Sequence, residues 1–301
     1  MADTNISWAN AVWNPVTGCT KVSPGCKNCY AEAMTERFHG KNSFENIVLH
    51  PDRLAAPLHW KKPRMIFVNS MSDLFHEKIP FEFIDSVFAV MALCPQHTFQ
   101  VLTKRPERMR EYMMRINGEY DVIEKWGESG LTICEILSRK PGFKSYAHEH
   151  CFIMGAGMWP LPNVWLGVSV ENQKYADERI PLLFQTPAAV RFVSAEPLLG
   201  DINLFNSGAL QGGKISHDPE DYDCFGNIDW LICGGESGAN RRECNPEWIQ
   251  SIANQCRDAG VACFLKQDSG LRPGKQGRLS DELWSLKQYP KGKSPLMLPG
   301  L

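Results

Sequence analysis

Long hydrophobic runs are missing from this sequence. None approaches the ~20 residues needed to span a bilayer. The opening Met1-Ala2-Asp3-Thr4-Asn5 is polar and leads into no apolar core, so no secretory leader is expected. A charge of one sign is missing too: 32 basic and 34 acidic side chains leave a formal net charge of -2. Bulk attraction is thereby removed as a reason to bind nucleic acid, and only a local basic patch remains. Tandem repeats of fixed length and low-complexity tracts are also absent.

Cysteine is not scarce, but its number, 11, is odd. The expected setting is cytosolic and reducing, where clustered cysteines serve as metal ligands more often than as disulfides. Cys94, Cys233, Cys256 and Cys263 lie inside apolar runs and are expected to be small core residues. With 43% apolar and 22% charged residues over 301 positions, the chain can bury a sizeable core.

The densest feature is the loop Gly18-Cys19-Thr20-Lys21-Val22-Ser23-Pro24-Gly25-Cys26-Lys27-Asn28-Cys29-Tyr30, with cysteines spaced C-x6-C-x2-C. Gly18, Pro24 and Gly25 supply its turns. Three thiolates without a fourth point to a metal centre with one open position, for which a 4Fe–4S cluster is the working expectation. A structural zinc site needs four ligands, and His148, His150 or Cys151 are candidates to complete one. A ferredoxin-type cluster needs four cysteines. Three unconnected thiols are the plainest alternative.

Beyond the loop a rhythm sets in. A first strand is expected within Ile6 to Trp13, a helix over Tyr30 to Phe38 ended by Gly40, and a polar excursion from Asn42 to Lys62. Short apolar runs then begin at Met65, Thr98, Val164, Val190, Trp230 and Ala262, with helical patterns between most of them. This is the pattern of βα units on a parallel sheet, and continuous apolar runs suit strands buried on both faces. The expected fold is α/β, a full or partial (β/α) barrel of six or seven parallel strands with rim insertions. The barrel is expected over 1–269, with insertions at about 118–162 and 201–229, and 270–301 as a peripheral tail. Polar residues gather at the C-terminal end of almost every strand, the edge where barrels build their sites.

Six stretches carry a family resemblance: the cysteine loop, Asn69-Ser70-Met71-Ser72-Asp73-Leu74-Phe75-His76-Glu77, Leu102-Thr103-Lys104-Arg105-Pro106, Val168-Ser169-Val170-Glu171-Asn172, Ser194-Ala195-Glu196-Pro197-Leu198-Leu199-Gly200, and Gly234-Gly235-Glu236-Ser237-Gly238. With them the chain resembles the radical S-adenosylmethionine enzymes, distant relatives of spore photoproduct lyase, and is most similar to phage and prophage proteins of unknown function in that neighbourhood. It departs from the usual C-x3-C-x2-C loop in its first gap. Asn28 stands where an aromatic residue is usual, and Tyr30 follows the third cysteine instead.

The resemblance implies a 4Fe–4S cluster on Cys19, Cys26 and Cys29, with S-adenosylmethionine on the open iron and a 5′-deoxyadenosyl radical as the reagent. It implies a one-electron donor such as flavodoxin or ferredoxin, and the host cytoplasm as setting if the protein is phage-encoded. Cofactor contacts then fall to Tyr30, Ser72, Asp73, Lys104, Ser169, Glu171 and Asn172. Ser72 and Asp73 would take the methionine ammonium, Lys104 the carboxylate, and Ser169, Glu171 and Asn172 the ribose. Glu236, Glu196 and Lys266 are the expected catalytic residues, because Gly234-Gly235-Glu236 follows too late a strand to take the usual ammonium-binding role of Gly-Gly-Glu. The plainer reading of each carboxylate is a rim ion pair. DNA or a nucleotide is the expected substrate, through base hypermodification such as isomerising an amino-acid adduct on thymine, or through a thymine-dimer lyase-like reaction. A zinc-containing nucleic-acid-binding protein without catalysis is the competing expectation. The basic run from Lys104 to Arg115 would meet phosphates, and Trp126, Trp159 or Trp165 would stack on a base.

Overall fold

The computed structural model describes residue 4 and residues 6–118, 160–210 and 227–292, without the side chains of 116–118. Seven parallel strands form one sheet: β1 (Ala11–Trp13), β4 (Met65–Val68), β5 (Thr98–Thr103), β6 (Val164–Ser169), β7 (Val190–Ala195), β8 (Trp230–Gly234) and β9 (Ala262–Gln267), neighbours in that order. The order never reverses, so there is no switch point of the doubly wound kind. The sheet curls into a partial barrel with flanking helices. A small antiparallel ribbon of β2 (Val16–Thr17) and β3 (Val48–Leu49) lies beside the start of the chain's cysteine loop. The helices are α1 (Tyr30–His39), α2 (Phe81–Ala92), α3 (Pro106–Gly118), α4 (Gln173–Phe184), α5 (Pro246–Asp258) and the single turn α6 (Asp281–Trp284). No described helix is long and apolar enough to cross a membrane.

Strand alternation divides the core in two. Side chains such as Ile66, Val101, Leu166, Val193 and Leu231 join the helices in the larger cluster. Their neighbours in sequence, among them Met65, Trp165, Phe192, Trp230 and Phe264, form a second cluster with Trp8. Both faces are buried, which is why the strands read as unbroken apolar runs. Trp230 is the hub of the second cluster, with ring centroids of Trp165, Phe192 and Tyr289 at 5.8, 5.7 and 5.3 Å. This aromatic floor fills one end of the half-barrel. Gly167 makes room for it: a Cβ there would lie 2.6 Å from the Phe192 ring.

The structure corrects several expectations. The first strand is only Ala11–Trp13, because the chain turns at Ile6–Ala9 to drop Trp8 into the floor. Trp165, expected to stack on a base, is completely buried there. Ile202, Leu204, Ala209 and Leu210 are fully buried in the larger core, so the described start of the second insertion is not a rim excursion. The C-terminal stretch is likewise integral. Leu279 and Leu283 are buried, and the Leu265 amide donates to the Leu286 carbonyl at 2.8 Å, covering the free edge of β9. Cys94, Cys233, Cys256 and Cys263 are buried core residues, as their apolar surroundings suggest. Most of the first insertion, with Trp126, His148, His150, Cys151 and Trp159, lies outside the described residues.

Candidate metal and cofactor site

The cysteine loop is set by its local backbone. Gly18 has φ +92°, and a Cβ there would come 2.1 Å from the Asn46 carbonyl oxygen, so only glycine lets the chain pass that close. Pro24–Cys26 forms one 3-10 turn, and Cys29 is the N-cap of α1. Cys19, Cys26 and Cys29 all line a single cavity of about 290 Å³ at the C-terminal ends of the strands.

Three arginine–carboxylate pairs hold this loop. At the end of β5, Arg105 donates to the Thr20 carbonyl at 3.1 Å and hydroxyl at 2.9 Å, and to Cys19 Sγ at 3.5 Å. Its guanidinium is fixed by Asp73 at 3.2 Å and Glu77 at 3.1 Å. At the end of β6, the fully buried Glu171 accepts from the Ser23 hydroxyl and, at 3.0 Å, from the Gly25 amide, while Arg179 pairs with its other oxygen at 3.0 Å. Beyond β8, Glu236 accepts from the Asn28 amide at 2.9 Å and from Arg242 at 2.7 Å. Arg242 also reaches the Pro24 carbonyl at 2.9 Å. Burial alone would raise the Glu236 carboxyl, but the Arg242 and Asn28 hydrogen bonds outweigh it and hold the group below its ordinary range.

These contacts reassign much of the expected cofactor set. Asp73 accepts from Thr103, Lys104, Phe75 and Arg105, so its lone pairs are taken up in fixing the β5 end. Ser72 donates to the Val16 carbonyl at 3.0 Å. Glu171 anchors the loop rather than facing a ribose. Asn172 caps α4, accepting from the Tyr175 amide, and does not line the cavity. Glu236 belongs to the loop's support as well. For Asp73, Glu171 and Glu236 the plainer reading, an ion pair at the rim, is what the structure contains. The basic run is also consumed internally: Arg105 grips the loop, and Arg108 and Arg115 lie over the Phe81 ring at 4.3 and 4.7 Å.

Besides Ser72, Asp73 and Glu236, which line the cavity while making these contacts, five expected residues stand at its wall. Lys104 donates to Ser169, and Lys266 pairs with Glu196 at 3.0 Å; all four line the cavity. Tyr30 presents its ring at the rim, its hydroxyl donating to the Ser70 carbonyl. One residue went unassigned in the sequence. Asn69 has φ +59°, is 3% exposed and lines the cavity, yet neither amide atom has a hydrogen-bond partner among the described residues. A buried amide left open on both ends is costly unless something meets it. Its signals in the sequence were its place at a strand end and at the head of the resemblance stretch Asn69 to Glu77.

Residues 3–288 match a family described as Protein of unknown function (DUF5131). The chain belongs to that family. No curated protein and no solved structure matches it. The DUF5131 match runs through α6, in keeping with the packing of the C-terminal stretch on β9.

The donor set of this DUF5131 protein can be tested against a metal group on chemistry. All three thiols are free, and burial pushes Cys19 up to about 11 and raises Cys29 as well. Among the described residues, no three Cys, His, Asp or Glu side chains converge as closely as one metal ion requires. A zinc ion draws its thiolates to ~2.3 Å from one point. A cubane cluster gives each thiolate its own iron and so spreads them. Cys19, Cys26 and Cys29 share the one cavity, and three thiolates are the donor set that a cluster with one open iron would need.

Proposed function

We propose that the chain is a radical S-adenosylmethionine enzyme that holds a 4Fe–4S cluster through Cys19, Cys26 and Cys29 and acts on a nucleic-acid base. The observation that carries this reading is the shared cavity: three free cysteines on one braced loop face the polar C-terminal ends of a parallel half-barrel. With S-adenosylmethionine bound, the cluster would supply a 5′-deoxyadenosyl radical, and the difficult chemistry belongs to those groups.

The protein's own residues orient and enclose. Asn69 offers a donor and an acceptor to a bound polar group. Lys104 supplies a positive charge at the cavity wall, suited to a carboxylate as a point charge. The Tyr30 ring is placed for a planar base. The aromatic floor around Trp230 keeps water out from below. Among the described residues, Glu196 and Lys266 form the one carboxylate–cation pair facing the cavity that does not hold the loop, and they are the groups we assign to proton handling at the substrate. The nucleic-acid substrate rests on the resemblance to phage proteins, in the form of isomerising an amino-acid adduct on thymine or a lyase-like reaction.

The test is anaerobic reconstitution with iron and sulfide, followed by reduction with S-adenosylmethionine present. Release of 5′-deoxyadenosine is the expected result. A protein that retains zinc, or that carries a cluster and never cleaves S-adenosylmethionine, would sink the reading.

A further inference from the structure

The cavity has a neighbour that the site does not use. Helix α1 starts at the third cysteine and buries only Ala31. Along its outer side Tyr30, Met34 and Phe38 recur at i, i+4 and i+8, so they stack into one stripe about 12 Å long. They are 53%, 50% and 73% exposed, and Phe38 is the most exposed large apolar side chain among the described residues. Isolated exposed apolar residues need no explanation, but a contiguous row that begins at a cavity wall does.

The charges beside the stripe on the helix, and the unpaired ones nearest its ends in sequence, are basic. Arg37 borders the stripe on the Tyr30 side of the helix, its guanidinium 5.9 Å from the Phe38 ring. Lys27 precedes the stripe by three residues and Lys41 follows it by three, both exposed and without an ion pair among the described residues. The helix's two acids point elsewhere and are engaged: Glu32 pairs with Lys21 at 2.8 Å, and Glu36 accepts from the Asn42 amide at 2.7 Å. Beyond the helix, Glu45 is the nearest exposed acid in sequence.

We infer that this face of α1 is the docking surface for single-stranded or locally unpaired nucleic acid, which it leads into the cavity past Tyr30. Exposed rings with cations beside them are what a sequence-tolerant strand binder needs: bases stack on the rings and phosphates meet the cations. The net charge of -2 does not oppose this, because what matters is the local charge: Arg37 beside the stripe and Lys27 and Lys41 flanking it in sequence. The inference rests on the nucleic-acid reading proposed above and names the surface that serves it.

Fluorescence anisotropy with a labelled twelve-nucleotide oligothymidylate tests it on the full chain, without iron or S-adenosylmethionine. Phe38→Ala should weaken binding on the order of ten-fold. Lys27→Ala and Lys41→Ala should each lower the salt slope by about 0.7. Leu271→Ala, which removes another exposed apolar side chain, should change nothing. Unchanged affinity in Phe38→Ala, or equal loss in Leu271→Ala, overturns the inference. So does a large fall in melting temperature for Phe38→Ala, which would mean the stripe is packed under the protein's own chain. Slowed reduction by flavodoxin with oligonucleotide binding intact would reassign the surface to a redox partner. Docking through α1 by a protein that never cleaves S-adenosylmethionine would remove the enzyme reading and leave this surface standing. Cleavage by a protein indifferent to the stripe would do the reverse.

Discussion

The carboxylate of Glu171 accepts a hydrogen bond from the Gly25 amide at 3.0 Å across 146 residues of sequence. A completely buried acid at the end of a central strand thus holds the middle of the cysteine loop. Gly25 has no room for a side chain: a Cβ would lie 2.7 Å from that carboxylate. Gly25→Ala should therefore push the loop off its anchor while sparing the barrel. The expected result is a clear fall in iron bound per chain after reconstitution, with far-UV circular dichroism unchanged. Full iron loading would show that the anchor does not matter.

Glu171→Gln acts differently. It leaves Arg179, itself buried, without its countercharge, and breaking a buried pair costs about 3–5 kcal/mol. Urea unfolding should report a loss of that order, well beyond the loss from Gly25→Ala. A loss under 1 kcal/mol would mean that water reaches the pair.

Glu236 holds Asn28 and Arg242, and Arg242 holds Pro24. Glu236→Gln should accordingly lower cluster content and S-adenosylmethionine binding, and not product formation alone. Iron analysis and equilibrium binding decide between these. A variant with full cluster and normal binding that fails only in turnover would return Glu236 to the substrate side.

Acid sensitivity should be traceable to Asp268, which ties the end of β9 to Arg278 at 2.9 Å. Burial raises its carboxyl, but the Arg278 and backbone hydrogen bonds outweigh that and bring it below its ordinary 3.8. A depressed carboxyl stabilises the fold above its unfolded pKa. That contribution is lost as pH falls from about 3.8 through the lower folded value. Asp268→Asn should lower stability at pH 7 and flatten the loss below pH 4. Parallel unfolding curves for both proteins down to pH 2 would contradict this.

The sheet was legible because each strand announces itself locally. Met65–Val68 and Trp230–Gly234 are continuous apolar runs closed by polar residues, and buried parallel strands leave little else to choose. Pro106 and Pro246 marked helix starts for the same local reason. The roles of Asp73, Glu171 and Glu236 were not legible. Each is a carboxylate at a strand end, where cofactor contacts and ion pairs look alike in sequence. What separates them is the position of Arg105, Arg179 and Arg242, fixed only when the chain folds. Asn69 shows the opposite failure: its sequence signal is faint, while its open amide is plain in three dimensions.

The sheet stops short of closing, since β1 and β9 are its two ends and do not pair. The cysteine loop is fastened past the C-terminal ends of β5, β6 and β8, along the arc between those two edges. It works as a chord on an arc: one short loop ties three strand ends along the curl, so whatever the thiols grip is tied to the same three points. Loading the loop should then stiffen strand ends that touch no ligand.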